Sequence, residues 1–282
     1  MKINKRNISS FLVVISTILL SCATTGPGGK TSLIAIPTSQ EVAIGAGMAE
    51  EIAKTEKVLA DSLWQKYLNE VGQKIVTVSD RKDVTYHFTV IESDQVNAFA
   101  APGGYVYFYT GLLREMQSES EMAAVMAHEI SHVVGRHSIK RVQSAMGVAL
   151  AYDLVFGGDN PGKAVDAAIG IGMNLAFSGY SRDAEREADR FGIHYMVKAG
   201  YEPKGAVAMF ETLGRLGGSG SAGVFEKLAS SHPDTQERIA NAKTQIAGMA
   251  PLPTGLTGGE KRYKEMLKRL PPKSTPKSTT GS

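Results

Sequence analysis

The chain has a single cysteine, Cys22, among its 282 residues. An internal disulfide is therefore impossible, and so is any metal site built on several thiolates. Aromatic residues are scarce, at 7%, while glycine is plentiful, with 30 residues. That balance favours helices packed closely over small residues and argues against a β-sandwich. Neither sign of charge dominates: 31 Lys and Arg face 28 Asp and Glu, and without Lys2, Lys5 and Arg6 the two sets are equal. A nucleic-acid binder needs a basic face, which this composition does not supply. Long apolar runs are missing as well. The most apolar stretch, 8–20, is too short for a bilayer-spanning helix but fits the core of a secretion signal.

That stretch follows a basic start and ends in Leu19-Leu20-Ser21-Cys22. Residues 1–21 therefore read as a targeting signal, and the ending resembles that of bacterial lipoproteins, whose cysteine is lipidated and becomes the mature N-terminus. The resemblance implies a lipid anchor at Cys22, and several acyl chains hold a protein to a bilayer where one chain is marginal. Ala23 stands where an Asp would signal inner-membrane retention, so the expected location is the cell envelope, at the outer membrane and facing the periplasm. Residues 22–38, rich in Thr, Gly and Pro, read as a flexible tether. A main domain is expected over 39–257. The remainder, 258–282, reads as a basic tail with one short helix and a disordered, Pro-containing end.

Within the domain, helices are expected over 39–54, with Ser39 as N-cap, and over 57–76. Residues 84–91 alternate as a strand, with His87 on the solvent face. Pro102-Gly103 has turn chemistry, and 105–110 is strongly β-prone, which together give a hairpin beginning near Asn97. Its outer strand is expected to border a cleft and to accept an extended peptide through main-chain bonds, with Asn97, Tyr105, Val106 and Tyr107 as substrate-binding residues. Stretches 144–156 and 163–177 read as a Gly- and Ala-rich helical hairpin.

The chemistry is concentrated at 118–135. Ser118 followed by Glu121 has the spacing of a capping box, and His128-Glu129-Ile130-Ser131-His132 matches H-E-x-x-H. On a helix, residues four apart share a face, so the two imidazoles can bind one metal ion, and the Glu between them can take a proton from an attacking water. Catalytic zinc has three protein ligands as a rule. His137 falls one position short of the third histidine of the metzincin pattern and is expected to cap the helix end instead. Further on, Ser181 can cap a helix in which Glu185, Ala188, Asp189 and Gly192 fall on one face. Small residues beside two carboxylates would let this helix lie close to another. Glu185 can then reach the metal, and Asp189 can hold a ligand histidine by its other ring nitrogen. Glu187 is expected in solvent. Near the C-terminal side, Pro233 suits a first helical position, and Asp234 and Arg238 can pair one turn apart.

Taken together, His128-Glu129-x-x-His132 and Glu185-x-x-Ala188-Asp189 resemble the M48-type zinc metallopeptidases, the gluzincins that include HtpX, the CAAX prenyl proteases and the mitochondrial Oma proteases. The likeness extends to Asn97-Ala98-Phe99-Ala100, Pro102-Gly103-Gly104, Gly111-Leu112-Leu113, Arg136-His137 and Ser231-His232-Pro233. It implies one Zn2+ per chain on His128, His132 and Glu185, with Glu129 as general base. It also implies that the segment around His232 lies over the cleft, with His232 touching the metal or substrate and Arg238 stabilising the oxyanion. The absence of long spans points to the exported branch of the family. The expected fold is α+β, predominantly helical and zincin-type, with a small antiparallel sheet beside the active-site helix. The expected activity is endopeptidase cleavage of unfolded or misassembled envelope proteins. A different class of function, a chaperone-like lipoprotein with a latent zinc site, remains the alternative.

Overall fold

A computed structural model describes residues 23–29, 31–156, 161–176, 178–218 and 235–273. Two short strands, β1 (Ala23–Thr25) and β2 (Thr31–Leu33), pair antiparallel. Helices α1 (Thr38–Thr55) and α2 (Ser62–Val78) follow, then strands β3 (His87–Ile91), β4 (Ala98–Ala101) and β5 (Tyr105–Tyr109). After a short helix α3 (Thr110–Glu115) come α4 (Glu119–Val134), α5 (His137–Phe156), α6 (Pro161–Leu175), α7 (Arg182–Lys198), α8 (Lys204–Gly218), α9 (Thr235–Gly248) and α10 (Glu260–Leu267). The protein is thus mainly helical with a small sheet, as the sequence led us to expect. No helix among the described residues is long and apolar enough to cross a membrane.

Helix α4 begins as its residues dictate. The Ser118 hydroxyl accepts from the Glu121 backbone N–H, and the Glu121 carboxylate returns to Ser118 and to the Gln117 N–H. The helix then runs through the interior, with Met122, Met126 and Ile130 fully buried. Each such side chain contributes about 1.5–3 kcal/mol of apolar burial. On one side α4 packs along α7, where Ala188 is fully buried and Gly192 brings the two backbones together. A Cβ at Gly192 would stand 3.1 Å from the His128 nitrogen.

The three-stranded sheet has the order β3-β5-β4, with β3 parallel and β4 antiparallel to β5. It is therefore mixed, which corrects the expected antiparallel sheet. The β4–β5 hairpin is present, but β5 lies at its centre because β3, contributed from earlier in the chain, pairs along its other side. On the far side of β3, the Leu59 N–H donates to the Val90 carbonyl and the Glu92 N–H to the Lys57 carbonyl. Residues 57–61 thus run beside the sheet, and α2 starts only at Ser62 behind an Asp61 cap. In α1 the N-cap is Pro37, two residues before the expected Ser39.

A buried ionic node joins α1 to the end of α4. Glu41, on α1, accepts from Arg81 at 2.9 and 3.0 Å, from Arg136 at 2.7 Å and from the Gly103 N–H at 3.2 Å. Both arginines and the carboxylate are buried. Arg136 also donates to the Ile36 carbonyl, and Ile34 and Ile36 are buried in the core. The latter part of the expected tether is therefore packed rather than free. The basic helix expected in the tail exists as α10, yet it is docked and not solvated: Tyr263 is fully buried and donates to the Leu113 carbonyl.

Candidate metal centre

Helices α4 and α7 bring three ligand groups to one point. The Nε2 atoms of His128 and His132 lie 3.0 Å apart. Glu185 places one carboxylate oxygen 3.6 Å from His128 Nε2 and the other 3.4 Å from His132 Nε2. Donors bound tetrahedrally at about 2.0–2.2 Å sit roughly 3.3–3.6 Å from one another, so this spacing suits a single zinc-sized ion. Charge gives a second test. Glu129, Glu185 and Asp189 crowd the same buried region, and the guanidinium of Arg238 offsets one of these negative charges. A divalent cation would offset the other two, and unpaired buried charge is costly. The residues fit a metal.

The two histidines are held by different partners. His128 directs Nδ1 to Asp189 Oδ1 at 2.9 Å. Asp189 in turn accepts from Arg238 at 2.7 and 2.8 Å. Burial alone would raise the Asp189 carboxyl, but the Arg238 charge and the His128 contact outweigh it and bring it down to about 2. Arg238 is thus committed to Asp189 from α9, and its Nη1 stands 3.7 Å from a Glu185 oxygen. The expected pairing partner Asp234 lies outside the described residues, as do Cys22 and His232.

His132 is fully buried, which holds its imidazole well below the ordinary range despite the opposing pull of Glu185. Its Nδ1 lies 2.8 Å from Nδ1 of His137, and His137 Nε2 lies 2.9 Å from a Glu187 oxygen. These two placements differ from expectation. His137 does not cap the helix end; Arg136, at φ 53°, turns the chain so that the His137 ring folds back beneath α4. Glu187 is turned in against His137 rather than solvated, with its side chain only 10% exposed. Gly135, the C-cap of α4, also makes room for that ring, since a Cβ there would stand 2.4 Å from His137 Nε2. Tyr180 was also missed. Its ring stacks on His132 at 3.9 Å, and burial first, then the Glu129 charge, push its phenol up to about 12.

Glu129 is buried beside His128 and lines an apolar pocket with Leu112, Met209, Phe210 and Leu213. The expected substrate strand needs correction. Tyr105, Val106 and Tyr107 lie on β5, whose two sides are both paired, so they have no open edge to offer. The edge on the α4 side is β4. Asn97, just ahead of it, is buried and gives its carbonyl to the Tyr109 N–H. By alternation the carbonyl of Ala100 faces away from β5, and it accepts from Ser138 at 3.0 Å and Tyr180 at 3.4 Å.

Comparison with known proteins agrees with this geometry. The family model described as "Peptidase family M48" matches residues 62–246. The chain is 27% identical over 263 residues to the beta-barrel assembly-enhancing protease of Escherichia coli (strain K12), an alignment covering 88% of this chain and 54% of that protein. It is 32% identical over 174 residues to the mitochondrial metalloendopeptidase OMA1 of Schizosaccharomyces pombe, covering 61% and 50% respectively. It is 29% identical over 213 residues to the metalloprotease YcaL of Escherichia coli, covering 71% and 77%. The chain spans about half the length of the first two relatives.

Proposed function

From its membership of peptidase family M48, we propose that the chain is a zinc-dependent endopeptidase. The convergence of His128, His132 and Glu185 on one point, with Glu129 buried beside them, carries the reading. Zinc held there would supply Lewis acidity, polarising the scissile carbonyl and making water a better nucleophile at neutral pH. Glu129 accepts the proton of the attacking water and returns it to the departing amine. Asp189 and the Arg238 guanidinium keep His128 oriented. Arg238, whose Nη1 stands 3.7 Å from a Glu185 oxygen, is proposed to stabilise the negative charge developing on the carbonyl oxygen. His232 is proposed to approach the metal or substrate from the segment preceding α9.

The substrate class proposed is unfolded or misassembled envelope protein. Support comes from the relative named as a beta-barrel assembly-enhancing protease. Anchoring through a lipid at Cys22, on the outer membrane facing the periplasm, belongs to the same proposal.

Glu129→Gln tests the mechanism. The variant should bind one zinc per chain and lose casein cleavage by at least a hundredfold. Undiminished cleavage would remove Glu129 from the reaction. A chaperone-like protein would instead keep unfolded chains from aggregating and show no cleavage even as the parent.

A further inference from the structure

His132 and His137 meet through like atoms, Nδ1 to Nδ1 at 2.8 Å, and His137 Nε2 meets Glu187 at 2.9 Å. Two neutral imidazoles can bond in this way only if one Nδ1 carries hydrogen and the other does not. Which is which follows from the ends of the chain of contacts. Nε2 of His132 faces His128 Nε2 and Glu185, so it is the ligand atom and its proton must reside on Nδ1. Glu187 is a carboxylate, so the nitrogen it meets carries the other proton. His132 Nδ1–H therefore donates to His137 Nδ1, and His137 Nε2–H donates to Glu187. A single assignment satisfies all three groups.

We propose that Glu187 and His137 are positioning residues, forming a two-member relay that fixes the tautomer and orientation of His132 and aims its Nε2 at the metal. The inference rests on the metal centre proposed above. The surroundings are built for it. His132 and His137 are both buried, Tyr180 covers one face of the His132 ring, and the missing Cβ of Gly135 leaves space for the His137 ring. The site is therefore asymmetric. His128 is gripped directly by a carboxylate whose charge Arg238 offsets, whereas His132 is gripped at one remove through a neutral ring. Carboxylates that orient ligand histidines are worth about 10–100-fold in metal affinity, and the intervening ring should transmit much of that effect.

The test compares zinc affinity, by competition with a chromophoric chelator, for the full chain and its Glu187→Gln, Glu187→Ala and His137→Ala variants. Asp183→Asn removes the same charge from an exposed place on α7 and serves as control. The expected result is weaker zinc binding by about 10–100-fold for Glu187→Ala and His137→Ala. Glu187→Gln, whose amide oxygen can still accept the N–H, should fall between them and the parent, and Asp183→Asn should match the parent. Melting of the metal-free proteins separates positioning from folding, because Glu187→Gln preserves shape and should melt with the parent. In the cobalt-substituted protein, the visible absorption of Glu187→Ala should shift as His132 tilts. Nitrogen-15 NMR should find His137 protonated on Nε2 and bare on Nδ1. Zinc affinities within twofold of the parent, or a proton on His137 Nδ1, would overturn the relay. A parent that binds no zinc would overturn the metal centre itself, which is a separate failure.

Discussion

Oδ1 of Asp189 lies 2.9 Å from Nδ1 of His128 and accepts, at 2.7 Å, a hydrogen bond from Arg238. One oxygen thus links a metal-facing histidine on α4 to an arginine on α9. Asp189→Asn should keep the shape of the contact and lose its charge. Zinc affinity, measured by chelator competition, is expected to fall about 10–100-fold. A change below twofold would show that the carboxylate does not steady His128.

Acid should expose the same interaction. The Asp189 carboxyl, near 2 in the fold, lies below the ordinary value of about 3.9. A depressed carboxyl stabilises fully above its unfolded value, and that contribution is lost as pH falls from about 4 through 2. In chelator, the metal-free parent should therefore lose more stability across that window than Asp189→Asn. Denaturant titrations at stepped pH measure the difference, and parallel curves would contradict it.

Removing metal should weaken the protein without unfolding it. The core around Trp64, Met126, Ile130 and Tyr195 is apolar and independent of any ion. Ligand present at a thousand times its Kd adds about 4 kcal/mol, so chelation should lower Tm measurably while circular dichroism at 25 °C stays unchanged. Collapse of the spectrum on chelation would mark the metal as structural.

Gly192→Val places a branched side chain where even a Cβ meets backbone of α4 at 3.1 Å. Because the obstacle is main chain, the helices must separate. A loss of about 1–3 kcal/mol is expected from overpacking, together with weaker zinc binding, since Glu185 rides on the helix that moves. Thermal melting and metal titration report the two effects.

Glu41→Gln should be severe. It leaves Arg81 and Arg136 buried without their shared anion. Breaking a buried pair from one side costs about 3–5 kcal/mol, readable as a drop in the denaturant midpoint with little change in slope.

The metal-facing residues were legible because helical spacing is a local property. His128, His132, Glu185 and Asp189 needed only the rule that positions three and four apart share a face, plus Ala188 and Gly192 to permit a close approach. Glu187 escaped that reasoning, being two positions from Glu185 and so turned well away from it on an isolated helix. What recovers it is His137, which reaches Glu187 only because Arg136 takes a left-handed conformation. The central place of β5 was hidden for a related reason. Turn chemistry announces the β4–β5 hairpin, but the parallel partner β3 comes from another part of the chain, and nothing within 105–110 records it. The packing of Ile36 and Tyr263 likewise depends on residues a hundred or more positions away.

The span that matches the family model, 62–246, is smaller than the unit that holds itself together. Trimming the gene to those limits would discard Glu41 and strand two guanidinium groups in the interior. It would also withdraw Tyr263 from the slot it fills beside Trp64. A recombinant fragment cut at the family borders should thus come out insoluble, whereas one running from about residue 31 to 273 should express as a folded body.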